Sequence, residues 1–579
     1  MGPQPRAPRT DSIYTTTGAQ STQCRDTPPR CTVPGAPRPA PPGPIGGDAL
    51  QAALARTDAT ASLRAINHRD FGYEQARHLI LRAGFGGTPE QIRALADMGP
   101  ERAVDALLAA DAPPHARADD DGFDPDIMAP LSPEDREAIR RARRAADEDT
   151  LARFRLAQQE RQRRDRAQLR AMQRWWLARL IESPRPLEEK MTLFWHSHFA
   201  TGYRKIENSH HMLMQNRLFR ANALGSFATL LRAIVRDPAM LAYLDNQNSN
   251  ARRPNENLAR ELMELFSLGE GAYTEQDIRD GARALTGYTF EHNDFVFRAE
   301  RHDGGRKRIL GVTGLLDADG FVDAILKQNA CADFIAWKLH RFFVNHDALP
   351  DHRRLAGPHG RVVQQLGATL RASEYRLRPA LRRLFLSEHF YDPANVGAQI
   401  KSPVELVVGA VRTLRTPTRD PNILVDAMRR MGQDLFSPPS VAGWAGGRSW
   451  INTSTLFVRQ NTLVYLLTGR APVGAGGRGG GAAMERRMGA AGAGGAGGGG
   501  PERFDPSHLL ADLERADPGA SRDPERVARH LLLRTLGEAR EERIAPLTRV
   551  AHAAGGRVTD AVVIGMLALI AAAPEHQLA

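Results

Sequence analysis

The apolar positions of this chain recur mostly at helical spacing. In RRPNENLARELMELFSLGEGAYTEQDI, residues 252–278, Leu258, Ala259, Leu262, Met263, Leu265 and Phe266 share one broad face at about 100° per residue. Asn255 stands where a helix needs an N-cap, and Gly269 where one stops. Similar patterns run through DALQAALART from Asp48, YEQARHLILRAGFG, TPEQIRALADMG and DPERVARHLLLRTLG. In the third of these, Thr88 is placed to cap and Pro89 to occupy the first helical position. Strand-like runs are confined to DFVFRAERHDGGRKRILGV, where Asp303-Gly304 marks a turn. The pattern predicts an all-α protein, a multi-helix globular domain with a small β-hairpin near residues 295–311.

The same patterning sets the domain limits. Residues 1–48, rich in Pro, Gly, Ser and Thr, predict a disordered leader, and residues 49–470 a helical core domain with a strongly charged helical stretch at 133–182. Residues 471–503 have too little apolar surface to repay their ordering entropy and predict a flexible segment. Apolar faces return in residues 504–579, predicting helices that dock on the core. No apolar run approaches the roughly 18–20 residues of a membrane-spanning helix. AVVIGMLALIAAA is too short and reads as a buried helix. The beginning, MGPQPRAPRTDSIY, lacks the apolar stretch of a secretory signal. As it stands the sequence reads as cytoplasmic, with export open if the true start lies elsewhere.

Charge changes this picture little. Net charge is +11, but only six of the 78 basic residues are Lys, a bias that coding composition explains as well as selection for a polyanion. The stretch RRARRAADEDTLARFRLAQQERQRRDRAQLR has the form of a nucleic-acid-binding helix. Its interspersed acids, its few aromatics and the lack of a recognition signature nearby argue instead for a solvated helix laced with salt bridges. Of the three cysteines, Cys24 and Cys31 lie in the leader, and Cys331 follows a helical apolar pattern as a core residue. They supply neither a disulfide framework nor a zinc site.

Candidate chemistry gathers in three places. Glu256, Arg260 and Glu264 follow one another at i, i+4 and i+8 and neutralise much of their own charge. Glu261 has Asn257 and Leu265 at those positions, no cation, and a place at the border of the apolar face, which makes it a candidate catalytic carboxylate. Upstream, LDNQNSNARRPNEN places Asp245 twelve positions from Glu256, counting both, the span of a calcium loop. Gln247, Ser249 and Asn250 suit that loop poorly, and a polar connector is favoured. Asp245, Asn255, Glu256, Asn257 and Arg260 are then the candidate binding residues of the stretch.

The second place is PLEEKMTLFWHSHFAT, where His196 and His198 are the candidate partners of Glu261. Residues two apart point about 200° from each other on a helix, so joint metal ligation would require unwinding near Trp195. The commoner role for each is a hydrogen-bonded core histidine. Packing the 255–268 helix beside this one would bring Glu261 or Glu256 to His198. The third place is GQDLFSPPSVAGWAGGRSWINTS, whose Trp444 and Trp450 either pin a long loop to the core or stack on a sugar or partner.

RHLILRAGFG, PLEEKMTLFWHSHFAT, DPAMLAYLDNQN, PNENLARELMELFSLGEGAYTEQDIRDGARALTGYTF, RHDGGRKRILG, IKSPVELVVGAVRTL, PPSVAGWAGGRSWINTS and the terminal APEHQL together resemble DUF1800, a bacterial family of unknown function. The resemblance implies a mostly helical domain and no established reaction. Members are often exported, and their genes often neighbour those of a sulfatase-like family, which implies a polymer-related role by context alone. The leader, the Arg-rich helix and the Gly-rich insertion depart from the family pattern. Two readings of function stand. One is a binding or assembly protein with a polar pocket for a glycan or another protein. The other is a hydrolase-like enzyme acting on an extracellular polymer or glycan, with or without a divalent metal of unknown identity as its cofactor.

Overall fold

The computed structural model describes residues 61–109, 122–470 and 504–579, and its helices begin where the sequence caps them. Thr88 accepts from the Gln91 backbone N–H while the Gln91 side chain accepts from that of Thr88 at 2.9 Å, with Pro89 opening the Pro89–Met98 helix. Asn255 caps the Glu256–Glu264 helix by accepting from the Asn257 N–H at 2.9 Å. That helix ends four residues before Leu268. The Met263 carbonyl collects the N–H groups of Leu268 and Gly269 at 2.8 and 3.0 Å and closes the end. The leader, the pattern from Asp48 and the Gly-rich segment 471–503 lie outside the described residues.

The protein is mostly α, with two small antiparallel pairs of strands among the described residues. The two strand-like runs of the sequence do not pair with each other. Asp294–Phe297 folds back on Tyr288–Glu291, and Lys307–Ile309 pairs with Val312–Gly314. The physical reason lies in the turns. Leu310 and Gly311 both take positive φ, 49° and 84°, as a two-residue hairpin turn requires. Asp303, by contrast, is occupied in an ion pair with Arg283 at 2.7 Å.

Among the described residues, three apolar clusters hold the helices. The largest unites Leu79 and Ile80, Met191 and Phe194, Leu258 and Leu262, and Ile335 and Leu339 with the segment to Tyr391. A second forms where the Glu148–Glu182 helix meets the Pro403–Leu414 and Thr453–Thr468 helices. That helix, about 50 Å long at 1.5 Å per residue, is solvated over its first half. It is buried over its second half, where Leu169, Met172, Trp176, Leu177 and Leu180 face inward. The third cluster contains the C-terminal helices together with Leu414 and Leu467. The terminal residues add backbone pairing: the Lys401 N–H donates to the Gln577 carbonyl at 2.8 Å and the Ala579 N–H to that of Gln399 at 2.8 Å. No helix among the described residues is long and apolar enough to cross a membrane.

Candidate functional site

The Pro186–His198 helix is buried on nearly every side, which decides what its histidines can do. His196 is packed against Trp176 and Phe219, with ring centroids at 4.6 and 4.8 Å. Its Nε2 lies 3.0 Å from Asn216 Nδ2. Because Asn216 Oδ1 accepts from Arg220 at 2.7 Å, the amide is oriented and Nδ2 is the donor. Nε2 of His196 therefore accepts, and burial followed by the Arg220 charge keeps the ring neutral. Next to it, Glu189 receives Arg220 at 2.8 Å, Arg179 at 3.1 Å and the Trp176 indole at 3.2 Å. Burial alone would raise this carboxyl, but the two guanidinium groups outweigh it and hold it below the ordinary value. His196 thus belongs to a structural network.

His198 points elsewhere. Its Nε2 lies 2.9 Å from the Phe266 carbonyl, which can only accept, so Nε2 carries the proton. Burial and the neighbouring Lys338 charge depress its pKa to about 3, leaving a neutral ring whose Nδ1 lone pair has no protein partner among the described residues. Glu261 does not meet it. That carboxylate is half-buried with no hydrogen bond or ion pair among the described residues, and burial, then Glu264, raises its pKa against the pull of Arg260. The chain approaches His198 through the Phe266 backbone, beyond the end of the helix, which leaves the acids of that helix on another side.

The other polar residues of the stretch are also accounted for locally. Asp245 sits at φ 59° and pairs with Lys205 at 2.7 Å on the surface. Asn255 Nδ2 donates to the Asp245 carbonyl at 3.0 Å. Glu256 pairs with Arg260 at 3.3 Å, and Arg260 reaches Glu275 at 3.1 Å. Asn257 is exposed.

What the fold does bring together is His198, Trp444 and Trp450. They line a cleft of about 230 Å³ between the Pro186–His198 helix, the Asn329–Phe343 helix and the loop carrying the tryptophans. The loop closes on the helix at Gly443. Its φ is 82°, and a Cβ there would overlap the Ser197 carbonyl, so only glycine permits the approach. The Trp444 N–H then reaches Ser197 Oγ at 3.3 Å. Both tryptophans are buried, and the buried Trp444 Nε1 has no protein partner among the described residues.

Lys338, Arg341 and His346 complete the wall, and the sequence did not single them out. Lys338 lies 5.2 and 5.4 Å from the ring centres of Phe334 and Trp337, and Arg341 lies 4.8 Å over Trp337. Neither makes an ion pair among the described residues. Arg341 donates to the Pro350 carbonyl at 3.3 Å and contacts His346 at 2.7 Å, while His346 is 3.0 Å from both Asp347 and the Ala445 carbonyl. Burial, then the Arg341 charge, lowers Lys338 to about 8. Among the described residues Glu405 is the one carboxylate in the lining, and it is already committed to Lys190. Burial would raise Glu405, but Lys190 and Arg82 hold it at about 2. The cleft therefore presents two cations between aromatic walls, while the Trp444 indole N–H and the His198 lone pair are buried from solvent.

The model of a family described as "Protein of unknown function (DUF1800)" matches residues 78–578, nearly the whole of the chain. No curated protein and no solved structure matches it.

Proposed function

Because the chain belongs to the DUF1800 family, and membership brings no reaction with it, we propose a function from the cleft itself: a binding protein for an acidic, hydroxyl-bearing ligand such as a carboxylated or sulfated sugar. The observation that carries this reading is the Lys338 ammonium, half-buried beside Arg341 and without a carboxylate partner among the described residues. A desolvated cation of this kind is stabilised by an anion, and charged hydrogen bonds contribute about 1.5–3 kcal/mol. The aromatic walls suit the apolar face of a sugar ring, while the Lys338 and Arg341 head groups donate to its acidic and hydroxyl oxygens. On this reading the glycan sits in the cleft that Trp444, Trp450 and His198 line; Glu261 and His196 stand outside it.

The alternative, a hydrolase-like enzyme, draws support from the depressed pKa of Lys338, a property of general bases. Hydrolysis of a glycosidic bond by the common route needs two carboxyl groups flanking the bond. The lining has only Glu405, tied up by Lys190, and this favours binding over cleavage. Intrinsic tryptophan fluorescence, titrated with acidic oligosaccharides and their neutral counterparts, tests the proposal. Acidic ligands are expected to bind at least tenfold more tightly, about 1.4 kcal/mol. Lys338→Met should remove that preference. Equal binding of both classes, or an unaltered preference in the variant, contradicts it; turnover of the ligand would favour the enzyme.

A further inference from the structure

On the side of the Asn329–Phe343 helix turned away from the cleft, three histidines converge. His340 comes from that helix, His359 from the first turn of the Gly357–Ala372 helix, and His389 from the turn after the Leu377–Phe385 helix. His340 Nε2 lies 3.1 Å from His389 Nε2 and 3.2 Å from His359 Nδ1. One nitrogen from each ring lies within 4.8 Å of the others. Three imidazole nitrogens directed at one point is an arrangement that protons satisfy poorly. Each close nitrogen pair needs one N–H and one lone pair, and His340 Nε2 has to serve both pairs. A cation with open coordination positions satisfies all three lone pairs at once.

We propose that His340, His359 and His389 bind a first-row transition metal ion, with zinc the foremost candidate and the fourth coordination position open beside His359. Tetrahedral ligands at about 2.0–2.1 Å from zinc stand about 3.3–3.4 Å apart, close to the two separations from His340 Nε2, while the His359 and His389 nitrogens lie within 4.8 Å of each other. An all-imidazole donor set selects zinc, copper, nickel or iron over calcium and magnesium, which take oxygen. His340 and His389 are buried, and His359 is half-buried and gives the site its access. The charges around it work in opposite directions: Arg341 disfavours added positive charge on His340, while Asp392 favours it on His359. His340 Nδ1 has no protein partner among the described residues, so the ring lacks the outer hydrogen bond that usually strengthens a histidine ligand. The metal is therefore expected to yield to a strong chelator.

The test uses the untagged full chain, stripped with chelator, dialysed and titrated with Zn²⁺ and with Co²⁺. The expected result is one equivalent of metal per chain, a chelator-reversible rise in melting temperature, and an X-ray absorption spectrum fitted by three imidazole nitrogens. His359→Ala, at the half-buried ligand, should lose at least tenfold in affinity while keeping the helical circular dichroism of the parent. His552→Ala, at an exposed histidine, should bind as the parent does. Should His359→Ala fail to fold, the absorption spectrum of the parent decides. A sulfur or all-oxygen ligand set, absence of stoichiometric binding, or undiminished binding by a folded His359→Ala overturns the proposal.

Discussion

Glu261 and Lys338 are opposite cases of a charge without a partner. The sequence places Glu261 or Glu256 beside His198, and neutralising Glu261 in such a pair costs about 1–3 kcal/mol. With no such pair and Glu264 beside it, Glu261→Gln is expected to change stability by less than about 0.5 kcal/mol, or to raise it. Urea unfolding of the variant checks this, and a loss above that range would indicate a partner for the carboxylate. Lys338 has a pKa depressed to about 8, so its charge fades as pH rises through that value. Affinity for an acidic ligand should be full at pH 7 and fall several-fold by pH 9. The sign for stability is the reverse. The folded state disfavours the ammonium, that penalty is fully present below about pH 8, and it is relieved between there and the unfolded value near 10.4.

At the scale of elements, the Glu148–Glu182 helix shows what spacing conveys and what it hides. Its arginines do form the salt bridges expected of a solvated helix, Arg155 with Glu148 at 2.8 Å and Arg164 with Asp124 at 3.0 Å. Binding of this helix to DNA or RNA at physiological salt should stay within the nonspecific range, about 10⁻⁴–10⁻⁶ M. Fluorescence anisotropy showing submicromolar binding would contradict that. Asp165 looks like one more surface acid in the sequence, yet it is buried. It accepts from Tyr203 at 2.8 Å and from the backbone and hydroxyl of Ser209 at 3.0 and 2.6 Å. Asp165→Ala should cost at least about 1.5–3 kcal/mol by stranding those donors, whereas Arg155→Ala should cost under about 1 kcal/mol. Periodicity could not separate the two, because the buried half of the helix begins at a point that only its neighbours define.

For the whole molecule, caps and apolar faces made the helical class legible. Thr88, Asn255 and the face from Leu258 to Met263 all serve as their spacing indicates. The site was legible only in part. Trp444 and Trp450 drew attention as large aromatics in a Pro/Gly-rich loop, but Lys338 lies within a pattern that reads as core around Cys331. Its role depends on walls from residues near 197, 346 and 444, distant in sequence. The same holds for His340, His359 and His389, spread over 49 positions. Burial of imidazoles has a global consequence as well. His78 and His198 are depressed to about 3 and His196 well below its ordinary value, in each case first by burial. Below about pH 6.5 the unfolded chain takes up protons that the folded chain refuses, so each such ring steepens the loss of stability by up to about 1.4 kcal/mol per pH unit. The urea midpoint should fall sharply from pH 7 to pH 5, and a flat profile would show these rings to be less buried than described. The proposal that Lys338 makes the cleft an anion site is decided by calorimetric titration of an oligogalacturonate into the parent and Lys338→Met at pH 7 and pH 9. The parent should bind at pH 7, more weakly at pH 9, and the variant at least tenfold more weakly at pH 7; equal affinities in all four titrations would show that Lys338 is not the anion site.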